Sequence, residues 1–278
     1  MTTTRPEARP LTTVIGAMIE AVNLGEPLSS ETLAVVHQAL LDRGVIFFRD
    51  QNVSVEQLWA FVRNFGTPQK EDSFGTDADQ AADVQEADFS RTRRGTAAWH
   101  ADSTFLEKPP KITLLRMVRG PAFGGDTCWA NMVSAYEALS QPMRNMLDGL
   151  TAVHSVSRAV SRLGNYGDAF AAEFGKLHAP QQVHPVVQLH PETGRKALFV
   201  TESATTRIVE LEPAESRHVL DLLFEHIKLP DFSMRWHWSP NDIALWDNRT
   251  VQHYAVPDYT TERVVHRIVV AGDRPYGP

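Results

Sequence analysis

The segment WHADSTF, Trp99 to Phe105, sets an imidazole and a carboxylate two residues apart. On a β-strand, residues i and i+2 point to the same face, so His100 and Asp102 would offer one nitrogen and one oxygen ligand side by side. An isolated pair of this kind also suits a surface strand or turn. The C-terminal segment NDIALWDNRTVQHYAVPDYTTERVVHRIVVAGDRP supplies a third ligand type in His253, followed by Arg263 and Arg267. Two histidines and one carboxylate on one face of an iron leave three adjacent positions open, the arrangement that non-haem Fe(II) oxygenases use. Zn²⁺ accepts the same ligands but cannot activate O₂ by a change of oxidation state. With Cys128 as the single cysteine, thiolate clusters and intrachain disulfides are excluded.

Arg263 and Arg267 are four residues apart, so on a strand they share a face, about 13 Å apart along the backbone by the rise per residue. Two guanidinium forks on the metal side of a sheet suit two anionic groups, carboxylate or sulfonate. Two surface arginines are the plainer reading of the same spacing. Among the other histidines, His37, His218 and His226 fall on expected helices, while His184, His190 and His237 fall near strands or turns. His266 is expected to face opposite to Arg267. Trp99 and Trp246 flank the site and are read first as packing residues.

Several elements must position these groups. Leu33, Val36, Leu40 and Leu41 share one helical face, with Gly44 as a stop, and the strand Val45 to Arg49 follows. Ser54 with Gln57 forms a capping-box pattern ahead of the stripe Leu58, Phe61, Val62 and Phe65. Acidic residues crowd the stretch from Gln69 to Gly95 and periodicity weakens there, so a mobile loop at about 69–95 that covers the site is expected. Ile112 to Val118 and Thr127 to Asn131 read as strands joined in a hairpin through the turn-rich Gly120 to Asp126. Pro213 to Ile227 reads as a helix, Phe232 to Trp238 as a half-buried strand, and Asp242 to Trp246 as the start of another.

Composition bounds the class. The 278 residues are 42% hydrophobic and 22% charged, as in a globular enzyme, and one domain spanning 1–278 is expected. A net charge of −7 argues against nucleic-acid or anionic-membrane partners. The N-terminal residues lack the pattern of a secretory signal, and no apolar run approaches a membrane span, so a cytoplasmic location is expected.

Taken together and in order, WHADSTF, GGDTCWANMVSAYEALS, HPVVQLHPETGRKALFV, TTRIV, WDNRTVQHYAVPDY and RVVHR resemble the taurine dioxygenase (TauD/TfdA) family of Fe(II)/2-oxoglutarate-dependent dioxygenases over nearly the whole chain. The resemblance implies a mainly β fold with flanking α-helices, a double-stranded β-helix (jelly-roll) core with the metal at its mouth. By position it implies His100, Asp102 and His253 as iron ligands. Thr127 and Arg263 would hold the distal carboxylate of 2-oxoglutarate, and Arg267 the acidic group of the primary substrate. Fe(II), 2-oxoglutarate and O₂ would be the reactants beside a small organic anion, with succinate and CO₂ as co-products. A homo-oligomer, dimer or tetramer, is expected.

The pattern departs from taurine-oxidising relatives. Those carry a histidine just after the FGxP segment and an asparagine before HxD, where this chain has Gln69 to Asp72 and Thr96. Relatives also place an aromatic before TTRIV, where this chain has Ala204, and another near Val156. His154 of VHSVSR lies where relatives line the substrate pocket. The resemblance therefore implies Thr96, His154, Val156 and Ala204 around an anion larger than taurine: an aryloxyalkanoate, an alkyl sulfate or another sulfonate. The alternative from a different class is a non-catalytic protein that binds metal and 2-oxoglutarate for regulation.

Overall fold

The computed structural model describes residues 5–69, 85–88, 98–158 and 181–278. The chain begins with β1 (Glu7–Pro10) antiparallel to β2 (Ala17–Glu20). Helix α1 (Ser30–Arg43) starts where the Ser29 hydroxyl accepts the Thr32 N–H at 3.1 Å and ends at Gly44, whose φ is 70°. A Cβ at Gly44 would also meet Val251 Cγ1 at 2.5 Å, so any other residue here would be strained and would displace Val251. Strand β3 (Val45–Phe48) follows at once. Helix α2 (Val55–Val62) opens with the expected capping box: Gln57 N donates to Ser54 Oγ at 3.3 Å, and Ser54 N donates to Gln57 Oε1 at 2.7 Å. Such a cap stabilises a helix by about 1 kcal/mol.

Next come β4 (Pro68–Gln69), β5 (Gln85–Asp88), β6 (Ile112–Arg119) and β7 (Thr127–Asn131), then the short helices α3 (Met132–Glu137) and α4 (Gln141–Leu147). The remainder runs β8 (Thr151–Ser155), β9 (Gln181–Pro185), β10 (Val187–Leu189), β11 (Lys196–Leu198), β12 (Thr205–Ile208), α5 (Pro213–His226), β13 (Ser233–Trp236), β14 (Ile243–Asp247), β15 (Val251–Ala255) and β16 (Val264–Val270). One large sheet has the order β1-β2-β3-β14-β6-β16-β4, with β5 also paired to β16. The smaller sheets are β13-β7-β15, β12-β8-β9 and β10-β11. This is the expected jelly-roll core with helices outside.

Alternation with period two divides β2, β3, β6, β14 and β16 between two cores. Ile46, Phe48, Leu114, Ile243, Leu245, Ile268 and Val270 pack with Leu40, Leu58 and Phe61 of the helices. Val45, Phe47, Leu115, Met117, Ala244, Trp246 and Val265 face inward and meet Trp129, Trp236 and Trp238 of the opposing sheet. Phe47 is fully buried, in edge contact with Trp129 and stacked on Trp236. Its burial is worth about 1.5–3 kcal/mol, and Phe47→Ala would cost about 3–5 kcal/mol once the cavity is included. The same parity sends Thr113 and Arg267 inward and His266 the other way.

Three expectations change. Strands β6 and β7 are not a hairpin: β6 lies between β14 and β16, whereas β7 lies between β13 and β15. Gly120 to Asp126 therefore crosses from one sheet to the other, and its glycines serve that crossing. WHADSTF is not a strand either. His100 forms a single bridge to His253, and the chain turns from Asp102 onward, with Ser103 at φ 46°. Finally, the stretch read as loop contains β5, antiparallel to β16 at Val264–Arg267. Backbone pairing to an open strand edge needs no apolar pattern, so the polar QEAD gave no signal. The rest of the expected 69–95 loop, apart from Gln69, lies outside the described residues, as does Thr96.

Candidate active site

The site is assembled from a cross-strand pair. His100 N donates to His253 O at 3.1 Å and His253 N donates to His100 O at 2.8 Å, a doubly hydrogen-bonded antiparallel pair. Such partners project their side chains from the same face, side by side, and here the ring centroids are 4.1 Å apart. The turn after His100 then brings Asp102 back. Its Oδ1 lies 3.9 Å from His100 Nε2 and 3.7 Å from His253 Nε2. The three ligand atoms all lie within 4.8 Å of one another.

The protonation states suit a metal. His100 Nδ1 is 2.8 Å from the Ala98 carbonyl and donates to it, so Nε2 is the ring nitrogen turned to the centre. Burial, aided by the charge of His100, holds His253 well below the usual histidine range, so it is neutral at pH 7. Burial pushes the Asp102 carboxyl up, against the opposing influence of His100, Thr113 and Asn248. Two imidazoles and a carboxylate that burial destabilises as an anion form a donor set that a divalent first-row cation fits.

Both arginines reach this interior. Arg267 Nη2 lies 2.9 Å from Asp102 Oδ1, and burial pushes its guanidinium down to about 10, still charged at neutral pH. Arg263 is buried, its Nε donating to the Gly125 carbonyl at 3.1 Å and its Nη2 lying 3.4 Å from Thr127 Oγ1. Thr127 Oγ1 also accepts the Trp238 indole N–H at 3.0 Å. Gly125 sits at φ 67°, and a Cβ there would press on Pro121, Tyr259 and the Arg263 side chain. Its N–H donates to Asp258 Oδ1 at 2.8 Å, and Arg235 bridges Asp258 and Asp126 at 2.9 and 2.6 Å. This clamp on the Gly-rich crossing was not evident in the sequence, because its members come from three distant segments.

His154, Val156 and Ala204 are brought together at the ends of β8 and β12, where Ser155 N donates to the Ala204 carbonyl at 2.9 Å. All three are buried. The His154 ring is enclosed, stacked on Phe199, with Nδ1 3.0 Å from Thr104 Oγ1, and burial drives its pKa down to about 3. Thr104 ties this corner to the turn that carries Asp102. A cavity of about 220 Å³ adjoins Ala101 and Asp102 and is bounded by Phe199, Asn248 and Tyr276. Neither His100 nor His253 lines it.

Residues 7–269 match the Taurine catabolism dioxygenase TauD, TfdA family. The chain belongs to this family. It is 36% identical to an alkylsulfatase of Acinetobacter baylyi, over 96% of this chain and 85% of that protein. It is 35% identical to an alpha-ketoglutarate-dependent sulfate ester dioxygenase of Pseudomonas putida, over 98% of this chain and 91% of that protein. The crystal structure of a taurine dioxygenase from Burkholderia xenovorans superposes with a TM-score of 0.83 at 35% identity, covering 98% of this chain and 93% of that one.

Membership in the TauD/TfdA family makes the chain a non-haem Fe(II)- and 2-oxoglutarate-dependent dioxygenase that uses O₂. The regulatory alternative loses its ground. Among the described residues, no helix is long and apolar enough to cross a membrane. Two buried residues that touch the TauD/TfdA site escaped the sequence reading. Thr113 Oγ1 donates to Asp102 Oδ2 at 2.6 Å, and Asn248 Nδ2 donates to Thr113 Oγ1 at 2.8 Å. A hydroxyl on the strand face that also carries Leu115 and Met117 was the available signal.

Proposed function

We propose that this enzyme hydroxylates an organic anion at the carbon that bears its acidic group, with alkyl sulfate esters as the leading substrate class. In this reading His100, Asp102 and His253 hold Fe(II). Thr127 and Arg263 hold the distal carboxylate of 2-oxoglutarate. Arg267 holds the acidic group of the primary substrate, while Thr96, His154, Val156 and Ala204 shape the pocket. When bound, the iron and 2-oxoglutarate supply O₂ activation, with oxidative decarboxylation to succinate and CO₂ coupled to hydroxylation of the substrate. The residues of the chain bind, orient and exclude water. A carbon hydroxylated next to a sulfate oxygen collapses to an aldehyde and inorganic sulfate.

The observation that carries this reading is the second buried guanidinium. Arg263 lies at Thr127 and Gly125 and Arg267 at Asp102, so the interior holds a second guanidinium, while 2-oxoglutarate has one distal carboxylate; a second fork suits a second anion. Sulfate-ester relatives at about one-third identity over almost the full chain supply the choice of anion. We further propose one domain over 1–278, a cover over the site at about 69–95, and a cytoplasmic homo-oligomer, dimer or tetramer. The net charge of −7 supports a small-molecule partner rather than nucleic acid or a membrane. The test is a mass-spectrometric screen with Fe(II), 2-oxoglutarate and O₂, using alkyl sulfates of graded length, aryloxyalkanoates and taurine. Aldehyde and sulfate from medium-chain esters are expected. Faster turnover of taurine or of neutral analogues would overturn the assignment.

A further inference from the structure

The two oxygens of Asp102 are held in different environments. Oδ1 faces the two histidine Nε2 atoms and Arg267. Oδ2 accepts the Thr113 hydroxyl at 2.6 Å, and the direction of that bond is fixed by a chain of donors. The Trp246 indole can only donate, and its Nε1 lies 3.0 Å from Asn248 Oδ1. This sets the orientation of the Asn248 amide, so its Nδ2 donates to Thr113 Oγ1 at 2.8 Å. With its oxygen thus engaged as an acceptor, the Thr113 hydroxyl gives its single proton to Asp102. The backbone N–H of Asp102 points back to Asn248 Oδ1 at 3.4 Å, closing the ring. Thr113, Trp246 and Asn248 are all buried, so water does not compete for these bonds.

We infer that Thr113 and Asn248 are positioning residues that hold Asp102 edge-on, presenting Oδ1 alone to the metal and keeping three coordination positions open. The inference rests on the reading that His100, Asp102 and His253 hold the iron. A carboxylate with both oxygens free can chelate a cation, and that would consume one of the three positions that 2-oxoglutarate and O₂ require. The Thr113 hydrogen bond competes with a metal for Oδ2 and so disfavours this second mode. The Thr113 hydroxyl meets Asp102 and Asn248, and acts through Asp102. Partners of this kind change metal affinity by about 10–100-fold when removed.

The test is titration of the metal-free full-length protein with Mn(II), followed by water-proton relaxation, which reports affinity and exchangeable waters per metal. Thr113→Val is expected to weaken Mn(II) binding about 10–100-fold and to lower the relaxivity of each bound ion, while Thr113→Ser stays within about threefold of the parent on both. Thr113→Ala serves in the same way if the valine variant does not fold. Asp102→Ala provides the reference for a lost ligand. A parent that binds no Mn(II), or an Asp102→Ala variant that binds as the parent does, overturns the metal reading itself. If Asp102→Ala abolishes binding while Thr113→Val matches the parent, or if serine is as weak as valine, the positioning role alone is overturned.

Discussion

Arg267→Gln separates the two anion sites. The side chain is 11% exposed, and its Nη2 lies 2.9 Å from Asp102 Oδ1, so its charge acts in a largely desolvated interior. Losing a charged hydrogen-bond donor to a bound anion costs about 1.5–3 kcal/mol, which at 1.36 kcal/mol per decade is about 10–150-fold in affinity. The primary substrate should lose that much. Binding of 2-oxoglutarate, which the proposed reading assigns to Arg263 and Thr127, should change by less than about threefold, since substitutions at separate contacts act nearly independently. Metal affinity should not fall, because the variant removes a cation from beside a ligand oxygen. The assay is calorimetry on metal-loaded protein without O₂, titrating an alkyl sulfate, 2-oxoglutarate and a neutral ether of the same length. The ether should bind parent and variant alike. Equal losses for the sulfate and 2-oxoglutarate would refute the reasoning and place Arg267 in the 2-oxoglutarate site.

Arg263→Ala should raise the 2-oxoglutarate concentration needed for half-maximal succinate formation by at least about tenfold, since a buried charge-assisted contact is lost; an unchanged requirement would remove the arginine from that role. Ala204→Phe should slow turnover of bulky anions more than small ones, and a uniform effect across a chain-length series would sink the roomy-pocket idea. Burial and the neighbouring His184 hold His154 at about 3, so below its ordinary 6.5 the unfolded chain takes a proton that the folded state does not. Stability therefore falls as pH drops, by about 2 kcal/mol from pH 7 to pH 5 for this one residue. Urea denaturation at both values should show a His154→Leu variant losing correspondingly less, and an equal loss in both proteins would contradict the assignment.

Local rules made much of this fold readable. The Ser54–Gln57 capping box and the Gly44 stop are contacts within a few residues, and both helices formed where those residues placed them. The ligand set was readable because three residue types carry the chemistry whatever backbone presents them. The backbone itself was misjudged: a single bridge to His253 followed by a turn, not a strand, brings Asp102 round. Gly120 to Asp126 has the composition of a hairpin turn, but composition does not say which sheet the next strand joins, and β7 pairs with β13 and β15. Strand β5 escaped for the converse reason, since the edge of β16 selects it rather than its own side chains. Thr113 and Asn248 lie on β6 and just after β14, and only the pairing of those strands places them at Asp102.

The central claim is that His100, Asp102 and His253 hold the iron that couples 2-oxoglutarate turnover to oxidation of an organic anion. Its most direct test is succinate formed per substrate oxidised, measured on purified parent and Asp102→Ala protein with Fe(II), 2-oxoglutarate, O₂ and an alkyl sulfate, with the fold of each checked by circular dichroism. The account predicts equal amounts of succinate and inorganic sulfate from the parent and neither from the folded variant; succinate at the parental rate from Asp102→Ala would contradict it.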